Sequence, residues 1–223
     1  MKLKLTYLGH AAFLVEGSKK IIVDPFITGN PICKTKLSEI KDLDYILITH
    51  DHEDHIGDAV KLAKKTKAKV IAIHEVVKTY FNKVRGISDD NLVGMNIGGT
   101  YKDGDVSFFM TLAIHSSFVG HPAGFVISMD GKNIYHAGDT AYFSDMKLIG
   151  DKFKLDMALL PIGSHYTMDE EDAAMAVKAL RPKMTIPMHY NTWPVIEANI
   201  NKFKKKCGSS KVKVLNINES ASV

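Results

Sequence analysis

The chain has 223 residues, of which 45% are hydrophobic and 24% are charged, and its formal net charge is +4. These values are typical of a folded protein with one large domain or two fused halves, and they exclude a disordered chain. No apolar run is long enough to cross a membrane, and residues 1–5 alternate apolar and basic side chains, unlike a signal peptide. We therefore expect a cytoplasmic protein whose two cysteines are free thiols.

The N-terminal part of the chain predicts three short strands. Residues 3–7 alternate apolar and polar side chains, residues 11–15 form an apolar run, and residues 21–23 follow a turn. The segment 28–38 contains glycine and proline and predicts a loop that can reach over a site at the strand ends. His10 either lines the mouth of such a site or ends a strand, and the sequence leaves both interpretations open.

Three histidines and three carboxylates follow the apolar run at residues 45–48 and occupy residues 50–55. The run predicts a buried strand, and a helical pattern begins soon after the cluster. The cluster therefore lies where a strand ends and a helix begins, a common position for a site in α/β proteins. A solvated turn would explain Asp51 and Glu53, but it would not explain three histidines in phase.

The spacing within this cluster indicates metal binding. Side chains two positions apart on extended chain point the same way, so His50 and His52 can share one ion. Asp54 and His55 fall in the turn that opens the helix and would point toward a second position. Imidazole and carboxylate donors suit zinc, manganese, iron or nickel.

Beyond the cluster, the chain alternates predicted helices and strands. The helices cover residues 60–63, 75–84, 167–180 and 195–206. A capping box, in which Thr167 precedes Glu170 by three positions, predicts the start of the third of these helices. The predicted strands cover residues 70–73, 106–114, 132–136, 157–162, 184–188 and 212–217. Three potential ligands follow these strands, namely His115, Asp139 and His189.

A weak internal repeat relates the two parts of the chain. Residues 9–13 resemble residues 120–125, and each segment is followed by a strand, a turn, another strand and an aspartate, Asp24 or Asp139. The pattern predicts a single domain over residues 1–223 with two pseudo-symmetric halves that meet near residue 100. We expect an α/β (α+β) fold, a four-layer αββα sandwich of two mixed β-sheets with helices on the outer faces.

Residues 49–55 match every fixed position of T-H-x-H-x-D-H, and they resemble the motif of the metallo-β-lactamase superfamily. The later motifs of that superfamily supply a histidine, an aspartate and a histidine, in the chain order seen here. The contexts Ile114-His115-Ser116-Ser117 and Met188-His189-Tyr190 resemble the branch of ascorbate-6-phosphate lactonase and its uncharacterised metal-dependent hydrolase relatives.

This resemblance implies a binuclear metal site. It assigns His50, His52 and His115 to the first ion, and Asp54, His55 and His189 to the second, with Asp139 bridging both. The cofactors would be two divalent ions, with zinc as the first expectation and manganese, iron or nickel as alternatives. Asp24 would orient a ligand histidine through the second nitrogen of its ring.

Such a site predicts a metal-dependent hydrolase of lactonase or phosphodiesterase type. A hydroxide bridging the two ions would attack a small anionic ester, such as a sugar-phosphate lactone or a phosphodiester, with Asp54 accepting the proton. His165 and Tyr166, which follow a strand at the same edge, are candidates for the substrate pocket. The alternative is a non-catalytic protein that uses the metal site to bind an anion or to sense iron.

The expected partner is a small anionic substrate rather than a membrane. A nucleic-acid substrate is disfavoured, because no basic groove rich in aromatic residues is visible in the sequence. The basic run 204–206 ends a predicted helix, where cations favour the helix dipole. The sequence leaves homo-oligomerisation open.

Overall fold

Residues 3–223, which the computed structural model describes, form two β-sheets that pack face to face, with helices outside them. Six strands in chain order build the first sheet: β1 (Lys4–Gly9), β2 (Ala12–Glu16), β3 (Lys20–Val23), β4 (Tyr45–Leu47), β5 (Lys69–Ile73) and β6 (Leu92–Met95). The next six build the second sheet: β7 (Thr100–Asp103), β8 (Val106–Leu112), β9 (Ala123–Met129), β10 (Lys132–His136), β11 (Met157–Pro161) and β12 (Met184–Met188). Finally, β13 (Ser220–Ser222) returns to the first sheet beside β1.

The two sheets repeat one order of strand pairing. In the first sheet, β1–β2 and β2–β3 are antiparallel, while β3–β4 and β4–β5 are parallel. In the second sheet, β8–β9 and β9–β10 are antiparallel, while β10–β11 and β11–β12 are parallel. Both sheets are therefore mixed, and the predicted fold class is confirmed. The loops that follow the carboxyl ends of the parallel strands carry polar residues, and these loops lie at one edge of the sheets.

Buried aromatic side chains connect the sheets. Tyr45 on β4 packs edge-on against Phe108 on β8, with ring centroids 4.9 Å apart. Phe13 on β2 lies 5.8 Å from the ring of His136 at the end of β10. These residues are almost fully buried, so their contacts help to fix how the two sheets pack against each other.

The helices occupy the connections between strands, and six of them are α-helical: α1 (Glu53–Ile56), α2 (Ala59–Thr66), α3 (His74–Val76), α4 (Met146–Phe153), α5 (Glu170–Leu180) and α6 (Ile200–Cys207). The predicted helix over 75–84 is α-helical only in α3 and continues as a wider π-helical segment, Val77–Val84. Helix α2 contacts β5 of the first sheet, whereas α5 contacts β11 of the second.

Three local predictions are wrong at the C-terminal end. Asp169, not Thr167, caps α5, because its carboxylate accepts hydrogen bonds from the amides of Glu171 and Asp172. The predicted helix over 195–206 begins only at Ile200, since Pro194–Ile196 forms a separate 3₁₀ turn. The predicted strand over 212–217 reduces to one bridge at Val212, and the last strand is Ser220–Ser222.

Candidate metal centre

The histidine cluster occupies the connection between β4 and α1. His50 follows the buried strand, and His52 has extended backbone and directly precedes the first residue of α1. Asp54 and His55 lie in the first turn of that helix. Gly57 ends the helix with φ +44°, and a Cβ there would lie 2.4 Å from the carbonyl oxygen of Pro25. Glycine therefore lets this loop pack against the segment that follows β3.

One group of donors gathers the first predicted set of ligands. Donor atoms of His50, His52 and His115 all lie within 4.8 Å of one another. The Nε2 atom of His50 is 3.0 Å from the Nδ1 atom of His52, so one ion could bind both rings. His115 comes from the loop after β8, and its ring lies 5.1 Å from that of His50 and 5.2 Å from that of His52.

A second group gathers Asp54, His55 and His189, and it also includes His10. His189 directly follows β12 and adopts φ +52°, a conformation that few side chains favour. Its backbone amide donates to the carbonyl oxygen of His10 at 2.9 Å. The β1–β2 turn thus holds the end of β12 at this position.

Asp139 lies between the two groups. Its Oδ2 atom is 3.4 Å from Nε2 of His55, 3.0 Å from Nε2 of His189 and 3.6 Å from Nε2 of His115. One carboxylate therefore reaches both sets of histidines, which is the arrangement that a bridging ligand requires. Gly138 makes this approach available, since it has φ +64° and a Cβ there would lie 2.6 Å from the carbonyl oxygen of Ala123.

The residues present fit a metal site. Among the described residues, Nε2 of His55, both ring nitrogens of His189 and Oδ1 of Asp139 are buried without a hydrogen-bond partner. Unpaired buried polar atoms are costly in a folded protein, and a bound cation is one way to satisfy them. Imidazole nitrogens with carboxylate oxygens are a donor set that suits zinc and neighbouring transition metals.

Burial and neighbouring charges set the protonation states of these ligands. Burial and the charge of His55 hold the pKa of His50 well below its usual range, and burial also lowers the pKa of His115. Burial would raise the pKa of Asp139, but the charges of His189 and His55 outweigh it and hold that pKa well below its usual range. At neutral pH, the two rings therefore have free lone pairs and Asp139 is ionised, as metal binding requires.

Asp24 holds the ring of His55 from behind. Its Oδ2 atom lies 2.7 Å from Nδ1 of His55, and its two oxygens also accept hydrogen bonds from the amide and hydroxyl of Thr49. Because Nδ1 faces this carboxylate, Nε2 is the nitrogen left to face Asp139. The contact is the one an orienting carboxylate makes, and the role itself stays a prediction.

His136 supports the loop that carries Asp139. The ring is fully buried, its Nε2 lies 2.9 Å from the carbonyl oxygen of Ala11, and its Nδ1 accepts a hydrogen bond from the amide of Gly138. Neither nitrogen is therefore available to an ion. This histidine connects the two sheets and fixes the turn before Asp139.

The predicted pocket residues make no direct contact with a ligand among the described residues. His165 and Tyr166 are exposed on the loop after β11, and their rings contact each other at 4.5 Å. Within residues 3–223, neither side chain hydrogen-bonds to or stacks on a predicted ligand. Their part in substrate binding stays a prediction.

Two features beside the site were not settled by the sequence, which left the role of His10 open and did not predict the contacts of Asp51. His10 is fully buried, and its Nε2 lies 3.1 Å from Oδ2 of Asp54. The sequence signal for a role at the site was the position of His10 directly after β1, which corresponds to the position of His115 after β8.

Asp51 accepts hydrogen bonds from the Ser117 hydroxyl and from the amides of Phe118 and Val119. It thereby holds the loop that carries His115, and the exposed ring of Phe118 contacts His52.

Comparisons with known proteins identify the family. Residues 19–190 match a family described as "Beta-lactamase superfamily domain", which is more than half of the chain. The chain belongs to the metallo-β-lactamase superfamily. A relative from Pyrococcus abyssi, described as a metal-dependent hydrolase, is 48% identical over 95% of this chain and 96% of its own length. A relative from Pelotomaculum thermopropionicum with the same description is 47% identical over 98% and 99%.

A solved structure supports this membership in the metallo-β-lactamase superfamily. The metallo hydrolase Igni18 from Ignicoccus hospitalis has a TM-score of 0.92 with 44% identity, over 100% of this chain and 99% of that one. The predicted family is confirmed, and the comparisons support the class of metal-dependent hydrolase. Among residues 3–223, no helix has both the length and the apolar character needed to cross a bilayer.

The first testable prediction concerns the histidine between the cluster and His189 that binds metal. His115→Ala is expected to weaken binding of the first ion by at least about tenfold, because it removes one of the three donors of the first group. His121→Ala is the matched control, since His121 is exposed in the same loop. Zinc titration with a competing chelator measures both affinities. Loss of metal in the His121 variant, with normal binding in the His115 variant, would refute the assignment.

Proposed function

We propose that this superfamily member hydrolyses a small anionic ester, such as a sugar-phosphate lactone or a phosphodiester, with two divalent metal ions. The observation that carries the proposal is a convergent set of buried donors with one open side. His50, His55, Asp139 and His189 are almost fully buried, whereas the side chain of Asp54 is 27% exposed. A substrate could therefore approach the site at Asp54 without displacing the buried ligands.

In this proposal, the predicted ligands fall into two sets, one for each metal ion. His50, His52 and His115 would hold one ion, Asp54, His55 and His189 the other, and Asp139 both. When bound, two such ions lower the pKa of a water molecule toward neutrality and stabilise negative charge that develops on the substrate. Zinc is the first candidate, and manganese, iron or nickel are the alternatives.

Asp54 is placed to accept a proton. Burial would raise its pKa, but the hydrogen bond from His10 and the charges of His55 and His10 together outweigh burial, so the pKa of Asp54 lies below its usual range. The carboxylate is therefore ionised at neutral pH. Its Oδ2 atom faces His10, and within the described residues Oδ1 makes no hydrogen bond. The free oxygen can take the proton of an attacking water molecule.

The charge of the site supports an anionic substrate, although less strongly than the ligands alone suggest. Asp54 and Asp139 offset half of the charge of two divalent ions. Asp24, in contact with His55, adds a third carboxylate, so one positive charge remains before a bound water molecule loses its proton. That remaining charge still favours an anion over a neutral ester of the same shape.

A groove beside the cluster offers room for the rest of a small substrate. It has a volume of about 610 Å³ and is lined by Phe26, Glu53, Lys61, Tyr80, Arg85 and Phe118, among others. This volume suits a small molecule. Lys61 already pairs with Asp58, whereas the guanidinium of Arg85 stacks on Tyr80 and makes no ion pair within residues 3–223. Arg85 is thus the cation in the groove best placed to meet an anionic group.

A turnover screen tests the proposal. Protein stripped of metal and reloaded with zinc or manganese is expected to hydrolyse at least one lactone or phosphodiester, while the stripped protein does not. Because the metal site supplies the chemistry, activity should return in proportion to bound metal. Loaded protein that hydrolyses neither ester class, and that purifies with iron, would instead favour the non-catalytic sensor.

A further inference from the structure

His10 makes a hydrogen bond through each of its ring nitrogens. Nε2 lies 3.1 Å from Oδ2 of Asp54, and Nδ1 lies 2.8 Å from the hydroxyl oxygen of Thr192. Both His10 and Thr192 are buried, so water does not compete for these bonds. A neutral imidazole has one N–H donor and one acceptor nitrogen, and the partners decide which is which.

The direction of both hydrogen bonds follows from the chemistry of the partners, since an aspartate side chain is ordinarily a carboxylate at neutral pH. A carboxylate only accepts hydrogen bonds, so Nε2 of His10 must carry the proton that faces Asp54. Nδ1 is then the acceptor, and the hydroxyl of Thr192 donates to it. We propose that Thr192 and His10 form a positioning relay, in which the Thr192 hydroxyl donates to Nδ1 of His10 and its Nε2–H donates to Oδ2 of Asp54. Oδ1 is thereby left free of this hydrogen bond.

The ring of His10 has little freedom to leave this position. It lies against the rings of His189, at 4.0 Å between centroids, and Trp193, at 4.9 Å. Its backbone carbonyl accepts hydrogen bonds from the amide of His189 and the hydroxyl of Tyr7. One residue therefore places a metal ligand through its backbone and the proton acceptor through its side chain.

The competing assignment makes His10 a metal ligand. Its Nε2 atom lies in the same donor group as Asp54, His55 and His189. A ligand nitrogen must be free of its proton, so Nδ1 would carry the proton and donate to Thr192. The two assignments require opposite tautomers of one ring, and the tautomer therefore decides between them.

Nitrogen-15 NMR of labelled histidine provides the direct test. In both metal-free and zinc-loaded protein, His10 is expected to carry its proton on Nε2, and His10→Gln identifies the signals of this ring. Thr192→Val, which removes only the hydroxyl donor, should shift His10 toward a mixture of tautomers. Thr192→Ser, which keeps the donor, should restore the single form. A zinc-loaded wild-type protein with the proton on Nδ1 would overturn the relay.

Metal content and kinetics of Thr192→Val provide a second test of the relay. Thr192→Val should keep the metal content of the wild type and lower kcat by about tenfold with little change in KM, because the relay contacts Asp54 rather than the substrate. Thr66→Val is the matched control, since the Thr66 hydroxyl donates to the Leu62 carbonyl, accepts from the Ala68 amide and belongs to neither donor group. Loss of one equivalent of metal in Thr192→Val would contradict a positioning role.

The kinetic part rests on the proposed function, whereas the NMR part does not. Should no ester be hydrolysed, the tautomer of His10 in the zinc-loaded wild type would still decide between relay and ligand. If an ester is hydrolysed and kcat is unchanged in Thr192→Val, the relay fails while the proposed function stands.

Discussion

Asp54→Asn is expected to lower kcat on the best substrate by about 10²–10⁴-fold, the range typical of a lost general base. The amide cannot accept the proton that the ionised carboxylate takes, and it also contributes no negative charge to the second group of donors. The fold should persist, because Asp54 is partly exposed at the start of α1 and supports no part of the core. Steady-state kinetics, circular dichroism and metal analysis of the same preparation measure these effects.

Asp105→Asn is the matched control for this prediction. Asp105 is exposed in the turn between β7 and β8, and it belongs to neither donor group nor to the groove. Its replacement makes the same chemical change away from the proposed site and should change kcat by less than about threefold, as expected of a surface substitution. Near-wild-type turnover by Asp54→Asn with full metal content would show that another group accepts the proton.

Removing the metal is expected to lower stability by about 4 kcal/mol for each ion, for a free metal concentration about a thousand times Kd. The reason is the set of donor atoms on His55, Asp139 and His189 that are buried without a hydrogen-bond partner among the described residues, which a cation would satisfy together. Loaded protein should contain two equivalents of metal, and chelation should lower Tm by about 10 °C or more. Elemental analysis and thermal denaturation before and after chelation measure both.

His189→Ala separates the two ions in this experiment. It removes a donor of the second group and leaves the first group complete, so one equivalent of metal should remain. His74→Ala, a change at an exposed histidine that begins α3, should keep both equivalents. One equivalent in the fully loaded wild type, unchanged in His189→Ala, would refute the two-ion site.

The sequence alone determined the elements whose signals are local. The spacing of the motif at residues 49–55 predicts which ligand side chains point in the same direction, since extended chain and a helical turn orient neighbouring side chains in known directions. His115 and His189 come just after apolar runs, so the strand pattern also predicted where they would emerge. The repeated order of predicted strands also led to the sandwich of two mixed sheets. Hydrophobic periodicity and turn residues are local signals that can be read directly from the sequence.

Only the tertiary structure decided which distant residues complete the site. His10 meets Thr192, 182 positions away, because the β1–β2 turn of the first sheet packs against the loop after β12 of the second. No periodicity encodes that meeting, since it depends on how the two sheets stack. The same stacking places the Nε2 atom of His136 against the carbonyl oxygen of Ala11. Local pattern fixes where a side chain emerges, whereas long-range packing fixes what it faces.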